Sequence, residues 1–430
     1  MTSLSDRLRG VVGRRPVDDA GSKDPAYTKH PAYSGDSGEV LGGEWCESEG
    51  GRFLTVDRSY SPGYRHGSMS IADGLPPSEG GWTRLSLLAD GADASKLLFV
   101  DLETTGLAGG AGTYAFLVGC GWFDGGRFRV RQFFLSNFVA ERALLDALVE
   151  LARTAGTVVS YNGKSFDLPL VETRLTLHRM ETPFAEMPHI DMLHPARRLW
   201  RKNEVSSLQS YGGMPMRDSG CRLSVLEQSL CGYVRDGDVA GFEIPARYFH
   251  FVRTGDARPL EAVLEHNRLD LLSLALVTSR AAQLLDEGAP STRTAREALG
   301  LGRLYERGAM LTDAWRCFTR AIELDEPDLL THAEALRAHA VLARRMRRFA
   351  DAASSWRRLL DVPGCPPLLA REASEALAVH LEHRLRDFQM ARGYAMQSLY
   401  SDTSAARKQA TLHRVARLDR KIDALPMALF

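Results

Sequence analysis

The stretch Lys96-Leu-Leu-Phe-Val-Asp-Leu-Glu-Thr-Thr-Gly-Leu107 carries most of the information about the fold. Its first half is a short apolar run of the kind that forms a buried β-strand. Residues i and i+2 of a strand point to the same face, so Asp101 and Glu103 project together. Two neighbouring carboxylates repel each other unless cations are bound, and hard oxygen ligands suit Mg²⁺ or Mn²⁺. An Asp-x-Glu triplet alone often arises by chance, but this one leads into a polar turn with glycine, where a backbone can approach a substrate.

The chain after this stretch has the element order of a mixed α/β sheet. Two strands, Tyr114–Trp122 and Arg127–Leu135, follow directly and are joined by a turn at 123–126. Next come a helix over Arg142–Ala155, a strand over Thr157–Tyr161, a helix over Leu168–Leu177 and a long helix over about Pro259–Leu285. This order predicts an α/β fold with an RNase H-like mixed sheet flanked by helices.

A second group of polar residues lies in Tyr161-Asn-Gly-Lys-Ser-Phe-Asp-Leu-Pro-Leu170. Asp167 comes just before a predicted helix, so it is either an acid of the same site or only the N-cap of that helix. Asn162 ends a strand, where it either contacts a substrate or stabilises a turn. Lys164 is placed to steady a phosphate, and a solvated surface lysine is the simpler interpretation.

The third group is His266-Asn-Arg-Leu-Asp270 on the long predicted helix. Positions i and i+4 share a helix face, so His266 and Asp270 can point into one site. An isolated pair of this kind is more often a surface His–Asp pair on an amphipathic helix. Whether this pair belongs to a site or to a surface therefore depends on its place in the order of the three groups along the chain.

Taken in order, the three groups resemble the DEDD exonuclease superfamily, also called DnaQ-like. The segment Asn-x-x-x-Phe-Asp-x-Pro over 162–169 looks like the second motif of its polymerase branch. The resemblance implies two divalent ions, Mg²⁺ or Mn²⁺, that support 3′–5′ hydrolysis of phosphodiester bonds in DNA or RNA. It also implies that these ions are held by four acids, Asp101, Glu103, Asp167 and Asp270.

The resemblance further assigns a base and a substrate surface. His266 would be the general base, and a His is competent in that role near neutral pH. It is separated from Asp270 by three residues, a spacing at which one branch of the superfamily has Tyr. The terminal nucleotide would lie against Leu102 and the turn formed by Thr104, Thr105, Gly106 and Leu107.

A closer resemblance, to the YprB-like ribonuclease H-like domain of bacterial proteins, covers roughly residues 95–280. It includes the segments Asp101–Leu107, Tyr161–Arg174, His189–Pro195, Cys221–Glu227, Gly241–Tyr248 and His266–Leu274. By this resemblance Asp191 is a structural residue that lines the cleft. Members commonly carry C-terminal helical repeats.

The chain is expected to divide into four parts. Residues 1–42 read as a disordered leader, 43–94 as a small β-containing extension, 95–288 as the nuclease domain and 292–430 as a helical domain. In the last part Ala314, Ala352 and Ala391 recur at steps slightly longer than a tetratricopeptide repeat of about 34 residues. The tail is therefore predicted to be tetratricopeptide-like, with an ordinary helical bundle as the alternative.

The bulk composition leaves the partner classes open. The 54 basic and 54 acidic residues balance, which neither supports nor excludes nucleic acid. No apolar run is long enough for a bilayer and no secretory h-region is present, so we expect a cytoplasmic protein without a membrane partner. Single-stranded 3′ ends are the expected nucleic-acid ligand. Two alternatives remain: an endonuclease on the same site, and a nucleic-acid-binding adaptor with an inactive nuclease fold whose repeats recruit a protein partner.

Overall fold

The computed structural model describes residues 36–77, 82–106, 112–201, 219–324, 328–400 and 405–424. Seven strands form its central sheet: β1 (Glu44–Ser48), β2 (Gly51–Tyr60), β5 (Leu97–Thr104), β6 (Ala115–Asp124), β7 (Arg127–Phe134), β8 (Thr157–Ser160) and β9 (His189–Asp191). Their order is β1-β2-β7-β6-β5-β8-β9. Two short strands, β3 (Arg65–His66) and β4 (Met69–Ser70), form a separate ribbon.

The strand β5 lies inside the sheet, antiparallel to β6 and parallel to β8. Leu98, Phe99 and Val100 are all buried, which explains why the apolar run does not alternate with polar residues. Pairing with β8 stops at Phe99, whereas pairing with β6 continues to Thr104. One side of β5 is therefore open beyond Phe99. The prediction of an α/β fold with a mixed sheet is confirmed.

The N-terminal segment contributes to this same sheet. β2 pairs antiparallel with β7, and β1 pairs with β2, so the strands expected in the 43–94 extension continue the main sheet. A helix, α1 (Asp36–Leu41), lies inside the segment that was expected to be a disordered leader. That expectation is wrong for residues 36–41, because Leu41 is buried in the core beside the sheet. Residues 1–35 lie outside the described residues.

Helices cover both faces of the sheet. They are α2 (Glu141–Ala152), α3 (Asp167–Leu177), α4 (Leu193–Leu199), α5 (Leu223–Leu226), α6 (Ile244–Thr254) and α7 (Arg258–Glu287). In α7, Leu260 and Leu264 belong to one hydrophobic core, whereas Leu271 and Leu272 belong to the other. The helix thus passes from one core to the other, and His266 and Asp270 lie at this crossing.

The tail is helical, as predicted. Its helices are α8 (Ala295–Arg307), α9 (Leu311–Glu323), α10 (Leu329–Arg345), α11 (Phe349–Leu360), α12 (Pro367–His380), α13 (Phe388–Tyr400) and α14 (Ala405–Asp423). The helices follow each other in three pairs, α8/α9, α10/α11 and α12/α13. In each pair a residue with positive φ lies two positions before the second helix begins: Ala309, Arg347 or Arg386. The alanines singled out in the sequence, Ala314, Ala352 and Ala391, are buried in the second helix of each pair.

The tail packs directly on the α/β domain. The indole Nε1 of Trp200, which follows α4, donates a 2.8 Å hydrogen bond to Oε1 of Glu297 in α8. A Cβ added at Gly300 would lie 2.2 Å from the carbonyl oxygen of Arg198, so glycine allows α8 to approach α4 closely. One hydrophobic core runs across this junction. No described helix is both long and apolar enough to span a lipid bilayer.

Candidate active site

The open part of β5 presents the first two acids. Asp101 and Glu103 lie on one face of the strand, past the last residue that pairs with β8. Leu102, between them, points to the opposite face and is buried in the core that contains α2 and α3. Both carboxylates are therefore held by a rigid strand that is anchored on its other face.

A buried chain of amides orients Asp101. The side-chain Nδ2 of Asn267 donates to Oδ2 of Asp101 at 2.7 Å and to its carbonyl oxygen at 3.1 Å. Asn267 in turn accepts a 2.8 Å hydrogen bond from Nε2 of Gln132, which also donates to the carbonyl oxygen of Leu264. A Cβ at Gly119 would come within 2.2 Å of Oδ1 of Asn267. Glycine at 119 thus makes room for the amide that fixes Asp101.

The third acid is delivered by the loop after β8. Asp191 accepts hydrogen bonds from the backbone N–H groups of Asn162 at 2.7 Å, Lys164 at 3.2 Å and Leu193 at 3.1 Å. Asn162 adopts a left-handed conformation with φ of 67°, which turns the chain towards α3. Asp191 therefore stabilises the loop. Asp167 is the first residue of α3, and no side-chain cap bond forms at Phe166, the cap position.

The fourth acid and the His lie on α7, one turn apart. Nε2 of His266 is 3.6 Å from Oδ2 of Asp270 and 4.0 Å from Oε1 of Glu103. Nδ1 of the same ring is 2.7 Å from Oδ1 of Asp238. The ring is therefore held on one side by Asp238 and faces the acids with its other nitrogen. The predicted i, i+4 pair does point into the site.

Arg235 connects three acids in this region. Its guanidinium donates to Asp270, to Glu227 at 2.7 Å and to Asp238 at 3.1 Å. Glu227 is buried and also bonds to His66 and Ser273. Although burial opposes its charge, these hydrogen bonds and that of Arg235 lower the pKa of Glu227. An ionised Glu227 thus fixes Arg235 beside Asp270.

The four predicted acids act on one another electrostatically. Burial first, and then the charges of Asp270, Glu103 and Asp167, raise the pKa of Asp101 well above its usual range. Burial together with Asp270 and Asp167 does the same to the pKa of Glu103. Burial and the charges of Asp191 and Asp270 raise the pKa of Asp167 to about 7. The structure therefore brings these acids into one region of concentrated negative charge.

This donor set suits a hard divalent cation in its chemistry, because it consists of carboxylate oxygens whose repulsion a cation would relieve. Among the described residues, however, no three His, Cys, Asp or Glu side chains are grouped as a ready-made metal site. Asp270 is turned towards Arg235 and shares its charge with the guanidinium. Arg235 is bonded to Oδ1 of Asp270, whereas Oδ2 faces His266 at 3.6 Å.

Of the residues expected to contact a substrate, Leu102 faces the core, and the other described ones lie either in the segment that follows Glu103 or in the loop before α3. The hydroxyl of Thr104 donates to the carbonyl oxygen of Gly106 at 2.9 Å, and Thr105 exchanges hydrogen bonds with the backbone of Tyr114. These contacts shape the turn after β5. Leu107 lies outside the described residues. Asn162 and Lys164 lie in the loop that delivers Asp167, and the Lys164 side chain is exposed.

Sequence reasoning missed the residues that position the acids and the His. Asn267 carried a signal, since it shares a helix face with Leu264 and Leu271, and a polar amide on an apolar face needs a buried partner. Arg235 and Asp238 carried none, because they lie in an irregular loop far from α7 in sequence. Their role follows only from distances across the fold.

Comparisons with known proteins agree with this architecture. The sequence pattern of the RNase H superfamily matches residues 98–282, which include all four predicted acids and His266. Over 379 residues the chain is 33% identical to the uncharacterised protein YprB of Bacillus subtilis strain 168, and the alignment covers 86% of each chain. The chain therefore belongs to the YprB family and contains an RNase H superfamily domain. This fold is that of nucleic-acid nucleases, which generally use divalent metals.

Proposed function

We propose that the protein is a metal-dependent 3′–5′ exonuclease of the DEDD type that hydrolyses phosphodiester bonds of DNA or RNA. The observation that carries this proposal is that α7 meets the open part of β5: Nε2 of His266 lies 3.6 Å from Asp270 and 4.0 Å from Glu103, and Asn267 of the same helix is bonded to Asp101. Burial and neighbouring acids also raise the pKa values of Asp101, Glu103 and Asp167. Burying several carboxylates together costs stability unless a ligand compensates for it. In an RNase H-like fold, the ligand that such carboxylates would bind is a divalent cation.

Asp101, Glu103, Asp167 and Asp270 would hold two Mg²⁺ or Mn²⁺ ions. When bound, such ions stabilise the charge on the attacking and leaving oxygens of an in-line displacement. The protein contributes a rigid arrangement of the acids: Asn267 fixes Asp101, and the loop held by Asp191 positions Asp167. Asp270 would contribute Oδ2, because its Oδ1 is bonded to Arg235.

His266 would accept the proton of the attacking water at Nε2. Burial disfavours the charge of Asp238, but the hydrogen bond with His266 and the neighbouring Arg235 lower the pKa of Asp238. An ionised carboxylate can only accept a hydrogen bond, so Nδ1 of His266 carries the proton in the contact with Asp238. In the neutral form of the ring, Nε2, which faces Glu103 and Asp270, is therefore the nitrogen with the lone pair that a general base needs.

The substrate would approach the turn that follows β5. Thr104, Thr105, Gly106 and Leu107 would lie against the terminal nucleotide, and Asn162 and Lys164 would flank its phosphate. The side chain of Leu102, expected to contact the nucleotide as well, faces the core instead and would only support the strand from behind. The hydroxyl of Thr105 already accepts a hydrogen bond from the backbone N–H of Tyr114, so Thr105 itself would need little reordering on binding.

Single-stranded DNA and RNA labelled at the 3′ or the 5′ end, incubated with Mn²⁺ or with EDTA, test this function. Stepwise shortening from the 3′ end with Mn²⁺ is the expected result. Asp101→Asn, which keeps the shape but removes the charge, should abolish shortening, whereas Asp146→Asn on the exposed face of α2 should not. Wild-type protein that gives no more cleavage than Asp101→Asn would end the enzymatic interpretation.

A specific observation favours a second candidate, a nucleic-acid-binding adaptor with little nuclease activity. Arg235 neutralises Asp270, and the described side chains form no ready-made metal site. In that case the tetratricopeptide-like tail would recruit a protein partner. Binding of oligonucleotide that survives in EDTA, without cleavage in Mn²⁺, would support this candidate. Cleavage of a circular single strand would instead identify an endonuclease.

A further inference from the structure

A groove of about 590 Å³ lies in the helical tail between α10, α11, α12 and α14. This volume falls in the range of about 300–1,000 Å³ that ligand sites usually have. Its floor is apolar and includes Phe349 and Trp356. Arg344, Arg384, Arg407 and Arg414 also line it, and we name it the arginine groove after them.

The positive charge of the arginine groove is not neutralised by the two acids in its lining. Glu372 already pairs with Arg337 at 2.6 Å, and Glu375 pairs with Arg371 at 3.2 Å; neither of these arginines lines the groove. Among the described residues, Arg344, Arg384 and Arg407 form no ion pair. Three arginines are therefore available to an anionic ligand.

The neighbourhood of Arg414 and His380 points the same way. Glu382 is bound by Arg417 and Lys421, each at 2.8 Å, so Arg414 at 3.6 Å is a surplus cation. Nη1 of Arg414 is buried without a hydrogen-bond partner among the described residues. Burial, followed by the charges of Arg357 and Arg384, lowers the pKa of His380. Burial is the larger cause, and the charges of the two arginines act in the same direction on His380.

We propose that the arginine groove binds single-stranded nucleic acid. This groove lies outside the nuclease site. The proposal rests on the proposed function in one respect, namely that nucleic acid is the ligand in both. The guanidinium groups would contact phosphates, and the guanidinium of Arg384, which lies 3.3 Å from the centre of the Phe349 ring, would extend a stacking surface for a base.

Hydrogen-bond chemistry distinguishes this ligand from an acidic peptide. A bound peptide presents both N–H and C=O groups at nearly every residue, and each needs a partner when buried. A phosphodiester backbone presents only acceptors, and arginine side chains are donors only. The groove lining contains four arginines and no Asn or Gln. The two glutamates of the lining could accept hydrogen bonds from a peptide, but both are already paired with arginines outside the groove. The unpaired arginines therefore favour a ligand rich in acceptors, as a nucleic-acid backbone is.

Binding of a fluorescein-labelled oligothymidylate of about 20 nucleotides tests the proposal. The measurement uses full-length Asp101→Asn protein in EDTA, where cleavage cannot occur. Combined Arg344→Gln, Arg384→Gln and Arg407→Gln should weaken binding about tenfold or more and reduce the slope of log K against log salt by about 2, near 0.7 per lost phosphate contact. The Lys versions of the same three positions should restore most of the affinity.

Arg316→Gln, Arg345→Gln and Arg420→Gln provide the matched control, because they remove the same charge from the tail outside the groove lining. Equal affinities of the two triple variants would overturn the proposal. Tight binding of an oligoglutamate peptide that only the groove variant loses, with oligothymidylate binding unchanged, would assign the groove to an acidic protein segment instead. Arg407→Gln alone, at an exposed position, serves if the triple variant misfolds.

The nuclease proposal and the groove proposal can be refuted independently of each other. Groove-dependent binding in EDTA without any cleavage by wild-type protein in Mn²⁺ would reject the nuclease and retain the groove. Cleavage in Mn²⁺ with no loss of binding in the groove variant would reject the groove and retain the nuclease.

Discussion

Replacing Asp167 by Asn should stabilise the metal-free protein, because the native acid is ionised at a cost. Asp167 has a pKa of about 7 in the folded protein, against 3.8 for the unperturbed group. The folded state binds the proton more tightly than the unfolded state does. The contribution of this binding to stability is fully present below pH 3.8 and is lost as the pH rises to about 7. Above that pH the loss stays constant.

The difference between these two pKa values corresponds to about 4 kcal/mol at 1.36 kcal/mol per pH unit. Asn also gives up the favourable charge in the first turn of α3, which is worth about 0.3–1 kcal/mol. The net gain at about pH 8 should therefore be about 3 kcal/mol. At about pH 5.5 it should fall by roughly 2 kcal/mol, because Asp167 is then largely protonated in the folded protein.

The assay is urea unfolding of wild type and Asp167→Asn in EDTA at the two pH values. Asp146→Asn is the control, since Asp146 is exposed on α2 and the same chemical change should alter stability by no more than about 0.5 kcal/mol. Mn²⁺ should stabilise wild type more than Asp167→Asn, although the variant is expected to be inactive. An Asp167→Asn protein that is no more stable than wild type at pH 8 would refute the argument that burial and like charges penalise this acid.

Three further predictions concern the groups that position the site and the tail. Gly119→Ala should displace Asn267, with a loss of about 1–3 kcal/mol in urea unfolding and of most Mn²⁺-dependent cleavage, whereas Gly241→Ala, in open space, should do neither. Asp238→Ala should lower kcat about tenfold or more with little change in KM, and should add nothing in a His266→Ala background; an additive loss would contradict its action through His266. Trp200→Phe should cost about 1–3 kcal/mol in urea unfolding by leaving buried Glu297 without its indole donor, and unchanged stability would show that this bond does not secure the junction.

The sequence alone determined the features that depend on local periodicity and order. The apolar run before Asp101 predicted a buried strand, and α7 was predicted to within a few residues at each end. The i, i+4 spacing of His266 and Asp270 correctly placed both on one helix face, because helix geometry relates neighbours in the chain. These predictions needed no knowledge of long-range packing.

Only the tertiary structure decided which distant residues meet. The strand β2 joined the main sheet by pairing with β7, and β1 joined it by pairing with β2. Residues 36–41, expected to be disordered, form a helix whose Leu41 packs in the core. Asn267, Gln132 and Gly119 form one unit although their positions in the chain are far apart. Arg235 likewise reaches Asp270 from an irregular loop. Hydrogen bonds and ion pairs depend on distances in space, and a single sequence carries such distances only where regular secondary structure relates the residues.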